Sequence, residues 1–544
     1  MFNYTQCDYA VGLRNWLGSL CHSISVDVNG TTVVQATSFI GMVNCFNMIT
    51  SFSYADFTEW ASIGFYPDSS PSVTFNGTPT VLSSVSTPFP SALPSTAAVA
   101  GTTVNGVGSA NNVNCQTGFS PGFAGGSTGQ TGGATYSTAI ACPTQVTNIG
   151  LLKRQQYWMF DPAQGPFNNG VIVNSLLSQS NLNLSYKSYV FNKQNAIVMN
   201  GATYSFQQPC WQQAIVGIIK LKQLHSFFAE MPLMKGIFFK MTLNLNQTYL
   251  TFTTGDAKQL TCTQMNSPLG GVSPLMIASA ATFTGTGAGV TTYSGSAGLP
   301  INSTFVLSIA VGKQCLCPLQ TSGSGWPTTT VQPSPLLASI MLSVPSYTFN
   351  PVFEQSYLSQ PVKTVIYNDT YQYFVQNVPP QTNFNQLVTN GIANIQSVLV
   401  LPYYTASANG GIDPIQSPFS TEGSGTTSPY ALIGNFQVVV SGQQMIYVTE
   451  KFTYEQYLQQ LYGCNAVNGG MNDGVNSGLI NQTDFETCYQ YYYVNCARKL
   501  PIESSVPMSV NIQGTNYSSL PVNYYVFITY QMQINLDVLT GSRV

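Results

Sequence analysis

The stretch "KLKQLHSFFAEMPLMKGIFFKMTLNLN", residues 220–246, gathers Lys220, Lys222, Lys235 and Lys240 with Glu230 and His225, one of two histidines in the chain. In a sequence of 544 residues with 6% charged side chains, this is a concentration of ionisable groups. Two chemistries could use it. His225 could act as a general base within a nucleophile–His–acid system, or the lysines could hold nucleic-acid phosphates. Neither is completed by its surroundings. His22, in "CHSISVDV", lies far away in sequence, and no Gly-x-Ser-x-Gly elbow accompanies either histidine. A phosphate surface needs Arg or aromatic partners and a broader positive field, whereas Phe227 and Phe228 fit the buried side of a short helix. A structural role is the reading the residues favour.

The other motifs fail on spacing. Cys315 and Cys317 in "QCLC" form a Cys-x-Cys pair, but structural zinc usually takes four ligands with Cys-x₂₋₄-Cys spacing. "DGVNSGLINQTD" (473–484) has Val475 at the third place of a calcium loop and Asp484, not Glu, at the twelfth. "GGSTGQTGG" and "GTGAG" are rich in glycine without the strand and helix that a phosphate cradle needs, and Gly312–Lys313 is followed by Gln314. Asp484 and Glu486, two apart, would share one face of a strand as paired glycosidase carboxylates could, but a turn leading into a strand is the plainer reading. No catalytic residue, metal site or cofactor is expected.

The elements that position these residues read mainly as strands, in short Val-, Ile-, Tyr-, Phe- and Thr-rich runs broken by Gly, Pro and Asn. In "KGIFFKMTLNLN" one face carries Ile237, Phe239, Met241, Leu243 and Leu245; the other carries Phe238, Lys240, Thr242, Asn244 and Asn246. The run 528–538 alternates in the same way, which suits antiparallel sheets with one face on a core. Further strands are expected near 22–37, 43–54, 186–206, 213–220, 303–313, 338–349, 362–378, 395–404, 434–447, 486–497 and 507–513. Helices are expected at 9–20, 221–231 (stopped by Pro232) and 453–462. Strands without regular helical crossovers argue for sandwiches or jelly rolls, and two sets of about eight fit the length.

Residues 69–152 contain no Asp, Glu, Lys, Arg or His, nor do residues 259–312. Connections this long are functional excursions or disordered, and the missing charge favours ordered ones packed together. Twelve scattered cysteines are read as free thiols. The N-terminus lacks a basic start and an apolar core, and no apolar run is long enough to span a bilayer. A net charge of −3 gives no electrostatic reason to bind nucleic acid directly. Charge this sparse protects a free monomer poorly, so the chain is expected to live packed against partners. Nine Asn-x-Ser/Thr sequons, Asn29, Asn246 and Asn516 among them, are expected to be unmodified.

Several segments, in order along the chain, carry a resemblance. "NWLGSL" (15–20), "VDVNGTTVVQATSFIGMVNCF" (26–46), "IGFYPDS" (63–69) and "FFAEMPLMKGIFFKMTLNLNQ" (227–247) resemble a first roll. "VPSYTFNPVFEQSYLS" (344–359) resembles the join between rolls. "NFNQLVTNGIANIQSVLVLPY" (383–403), "YQYYYVNCAR" (489–498) and "LDVLTG" (536–541) resemble a second. Together they resemble the double-jelly-roll major capsid proteins of virophages and polinton-like viruses, in the lineage of tailless icosahedral DNA viruses.

The resemblance implies an all-β chain of two tandem eight-stranded antiparallel jelly rolls, with long loop insertions and a few short helices. The first roll would span 1–355, with insertions at about 69–152 and 256–303, and the second 356–544. It implies a non-enzymatic role: homotrimers of pseudo-hexameric outline, tiling an icosahedral capsid beside neighbouring capsomers, penton and minor capsid proteins. The chain would reside in the virion and be assembled in the host cytoplasm or nucleus. Lys220, Lys222, His225, Glu230 and Lys235 are then expected at the edge of a subunit interface, where a few charges fix register. A viral spike or receptor-binding β-sandwich is the alternative suggested by the uncharged Ser/Thr/Gly insertions, and a β-sandwich glycoside hydrolase or lyase is the enzymatic one.

Overall fold

The computed structural model describes residues 9–52, most of 218–279 and most of 341–543, together with Phe65, Pro67, Asp68 and short strands between 103 and 213 and at 304–308. In the first half, β1 (Tyr9–Leu13), β2 (Cys21–Val28) and β3 (Thr31–Val34) precede α1 (Ile40–Ser51). After them come α2 (Leu221–Leu224), α3 (Phe227–Glu230), β4 (Phe239–Leu245), β5 (Tyr249–Thr254), β6 (Gln259–Asn266), β7 (Leu275–Ser279) and β8 (Thr304–Ser308). The sheets are antiparallel: β1 with β7, β4-β2-β3, and β8-β5-β6 extended by Ile140–Ala141. β4 alternates half-buried and exposed residues along its length, as its period-two pattern predicts.

The second half begins with α4 (Pro351–Leu358), which Asn350 caps by accepting from the Val352 backbone N–H, with Pro351 at the first helical position. Then follow β9 (Val362–Val378), β10 (Asn383–Ile392), β11 (Ile395–Tyr404), β12 (Ile433–Val440), β13 (Gln443–Val448), α5 (Tyr454–Leu461), α6 (Gln482–Thr487), β14 (Tyr492–Asn495), β15 (Met508–Asn516) and β16 (Val522–Asp537). Counting from the outside inward, β9 pairs with β16, β10 with β15, β11 with β14 and β12 with β13, all antiparallel. Folding that nested ribbon over gives two four-stranded sheets, β9-β16-β11-β14 and β10-β15-β12-β13. This is the strand order of a jelly roll.

The sequence pattern accounts for the order of burial. β11, "IQSVLVLPYY", is apolar on both faces because one side meets the roll's core and its strand is central in its sheet. Pro402 lies beyond the part of β11 that pairs with β14, so its missing N–H removes nothing from that ladder. At one end of the roll Asn516, fully buried, donates through Nδ2 to the carbonyls of Val378 (3.0 Å), Pro379 (3.1 Å) and Leu520 (2.9 Å). Its Oδ1 accepts from the N–H (3.0 Å) and hydroxyl (2.6 Å) of Ser518. One amide thus ties the β9–β10 turn to the β15–β16 turn.

Five expectations on local structure are corrected. Residues 9–20 are not a helix but β1 and a single 3-10 turn at Leu17–Leu20. Residues 43–54 are not a strand: α1 covers most of them, and it buries residues nearly all round, including Met42, Val43, Cys45, Phe46 and Ile49. A short apolar run does not separate a buried strand from a buried helix. The helix expected over 221–231 breaks into α2 and α3, because His225 is extended (φ −158°, ψ 139°). Residues 341–349, within the expected strand 338–349, are exposed and form no strand pair among the described residues. Asp484 and Glu486 lie on α6, whose N-cap Asn481 accepts from the Asp484 N–H at 2.8 Å.

Candidate assembly surfaces

The histidine–lysine stretch sits where the two halves of the chain meet. Because the helix breaks after Leu224, His225 and Ser226 turn toward β9. His225 is buried, and its Nδ1 accepts the Phe227 backbone N–H at 3.2 Å. That contact leaves the ring proton on Nε2, which faces Asp369 Oδ1 at 3.4 Å. Ser226 bonds both main-chain groups of Asn368: its hydroxyl donates to the carbonyl at 2.6 Å and accepts the N–H at 3.0 Å. Phe227 is fully buried, its ring 5.2 Å from that of Tyr367. β9 is an edge strand, and Ser226 bonds its main chain at Asn368 with α3 packed beside it, which blunts that edge against stray pairing.

The charges of the stretch divide. Lys220, Lys222 and Glu230 are exposed. Lys235, also exposed, pairs with Glu354 of α4 at 3.3 Å, and Lys240 with Asp27 at 3.7 Å. The Lys235 backbone N–H donates to the Val538 carbonyl at 2.9 Å, and the Tyr357 hydroxyl to the Leu233 carbonyl at 3.1 Å. Asn29 closes the same end, donating to the Thr540 carbonyl and accepting from the Phe238 N–H. Residues 225–240 therefore fasten the first half to the second within one chain. Removing one of these bonds is a modest test: Ser226→Ala is expected to lower stability by about 1–2 kcal/mol in urea unfolding, without altering the strand content seen by circular dichroism.

A second contact between the halves is polar and deeply buried. Arg14 is fully buried, and its guanidinium donates to the Glu422 carbonyl oxygen. Asp68 Oδ2 accepts the Asn15 N–H at 3.0 Å, while its backbone carbonyl accepts the Tyr489 hydroxyl at 2.6 Å. Glu422, also fully buried, accepts the Ser428 hydroxyl at 2.6 Å, and Ser428 in turn accepts the Tyr404 N–H at 2.9 Å. Burial pushes the Glu422 carboxyl up to about 8, with Asp413 raising it further and Ser428 and Arg14 opposing. Burial likewise takes Asp413 up to about 6. Gly425, at φ +95°, passes so close that a Cβ there would lie 2.9 Å from the Cys45 side chain. Around this cluster Phe46 of α1 packs its ring against Tyr491 (5.1 Å) and Tyr493 (5.3 Å). The sequence carried no signal for the cluster, since its members are scattered from Arg14 to Tyr491.

The third surface faces outward. Residues 341–349 run extended into α4, and the rings of Tyr347, Phe349, Phe353 and Tyr357 follow one another at 6.0, 4.9 and 6.2 Å. Lys363 Nζ sits 4.4 Å over the Tyr357 ring. Several large apolar side chains on this segment are exposed.

Among the described residues no group of three or more His, Cys, Asp and Glu could hold a metal ion, and no helix is long and apolar enough to cross a membrane. Cys21, Cys45, Cys488 and Cys496 are buried free thiols. Cys315, Cys317, the glycine-rich runs and residues 473–478 of the calcium-like loop lie outside the described residues, as does most of the insertion 69–152. Of the sequons, Asn246 and Asn516 are buried, and the Asn29 amide is engaged on both atoms.

No protein-family model matches the chain, and no curated protein matches it in sequence. Among solved structures, matches extend over nearly its whole length. One is a chain of the Sputnik virophage structure by cryo-EM, with 9% identity, 99% of this chain and 77% of that one covered, and a TM-score of 0.35. Another is the Faustovirus major capsid protein, with 9% identity, 98% and 74% covered, and a TM-score of 0.31. The chain is similar to viral major capsid proteins. The mavirus major capsid protein matches a part, 34% of this chain and 41% of that one, at 13% identity and a TM-score of 0.17. The jelly-roll assignment of the second half rests on its own strand pairing.

Proposed function

We propose that the chain is a major capsid protein, a structural and non-enzymatic subunit whose work is to associate with copies of itself. The observation that carries this reading is the complete jelly roll of β9–β16, fastened through buried contacts to a second antiparallel body. Two β-lobes locked together make a wall unit that keeps its shape under lateral load. Three such chains would place six lobes around an axis, a homotrimer with pseudo-hexameric outline that tiles an icosahedral shell. The division is placed at about 355/356, within α4, which leads from the exposed connection into β9. Sparse charge supports the same reading, because contacts between neutral surfaces avoid the desolvation cost of burying ions. Neighbouring capsomers, penton and minor capsid proteins would be the partners, and the virion the location, after assembly in the host cytoplasm or nucleus. Of the residues at the expected interface edge, Lys220, Lys222, Glu230 and Lys235 are exposed, Lys235 paired with Glu354, and His225 is buried against Asp369.

Negative-stain imaging of the purified chain tests this directly. Particles of roughly hexagonal outline, each with six lobes, are the expected result. A field of two-lobed single chains at every concentration would overturn it.

A further inference from the structure

We infer that the arm 341–353, running from the extended segment into the first turn of α4, is the surface on which a second copy of this chain docks. This rests on the capsid reading and names the contact that reading requires. Met341 is 87% exposed, Leu342 45%, Val344 72%, Tyr347 60%, Val352 76% and Phe353 50%. Together these side chains present on the order of 800 Å², about what one partner contributes to a standard interface. Among the described residues none hydrogen-bonds to 341–349, so the backbone donors and acceptors of the arm also face outward. An extended segment in that state is suited to pairing along another chain.

Two further observations favour a copy of the same chain over a different partner. The stretch 314–353 contains no Asp, Glu, Lys, Arg or His. In a ring of identical subunits, residues near the axis lie close to their own copies, and any charge there meets its like. A neutral arm removes that repulsion, while giving a charged partner nothing to recognise. The arm is also held ready. The ring ladder from Tyr347 through Phe353 continues into α4, which is fixed to the first half by Lys235–Glu354 and by the Tyr357 hydroxyl on the Leu233 carbonyl. Less ordering entropy then opposes association.

The test is sedimentation of the full chain beside the double variant Val344→Asp/Tyr347→Asp. Both side chains are exposed, so thermal unfolding of the dissociated variant is expected to match that of dissociated wild type. The expected result is association weakened at least 100-fold. Hydrogen exchange gives a second reading: peptides within 341–353 should be protected in the wild-type oligomer and exchange freely in the monomeric variant. Wild-type oligomers with an unweakened variant would overturn the arm as the contact and leave the capsid reading standing. Protection of 341–353 in the monomer would also overturn it, showing that the chain's own preceding segment covers the arm. A wild-type chain that never associates would remove the capsid reading, and this inference with it.

Discussion

Glu422→Gln should stabilise the chain by about 4 kcal/mol above pH 8 and change little near pH 5. The sign follows from burial. Folding places the Glu422 carboxyl where water cannot solvate its charge, so the neutral form is favoured and the group titrates near 8. Below the ordinary carboxylate range it is protonated both folded and unfolded, and folding meets no penalty. As pH rises through that range the unfolded chain ionises while the folded one does not, and stability falls until about pH 8. Asp413 adds a smaller loss of the same sign, complete by about pH 6. Glutamine keeps an acceptor for the Ser428 hydroxyl and has nothing to ionise. Urea unfolding of wild type and variant from pH 5 to 9 checks this: two parallel curves would mean that water or Arg14 already compensates the charge. The wild-type chain should accordingly be firmest in mild acid.

Asn516→Ala should be the most damaging single change to the second roll, lowering stability by about 3–5 kcal/mol. The amide is fully buried and serves three carbonyls and the Ser518 side chain. Its own backbone N–H donates to Thr382 and its carbonyl accepts from Gln381. Alanine keeps those last two bonds and takes the amide donor from all three carbonyls, of which that of Leu520 retains the Ser518 hydroxyl. The large effect follows from the unsatisfied acceptors, not from lost contact area. Asn516→Asp distinguishes the two: it preserves the volume but opposes carboxylate to carbonyl oxygens, so it should be at least as harmful at neutral pH. A loss under 1 kcal/mol for either variant, measured by thermal unfolding at fixed chain concentration, would contradict this account. The same burial explains why the sequon at 516 should carry no glycan.

How much of this was legible in the residues depends on how local each cause is. β9, β16 and β4 announced themselves by period-two alternation, because a half-buried strand stamps its environment on every second side chain. α5 was equally plain. β1 and α1 were read as the wrong element: both are short and apolar, and their form is set by what they pack against, β7 for one and the Tyr491–Tyr493 region for the other. Residues 341–349 have the composition of a strand but no pairing partner among the described residues, and composition does not reveal whether a partner is present. The buried Arg14–Glu422 contact joins positions 408 apart and leaves no local trace. The cluster at 220–240 was visible as an anomaly. Its position in the fold changes its meaning, since His225, Ser226 and Lys235 hold one half of the chain against the other.

A shell subunit must associate with copies of itself. Native mass spectrometry of the purified full-length chain, diluted stepwise near neutral pH, measures that most directly. A dominant species of three chains, persisting to submicromolar concentration, is the predicted result. A single-chain mass throughout the series would contradict it.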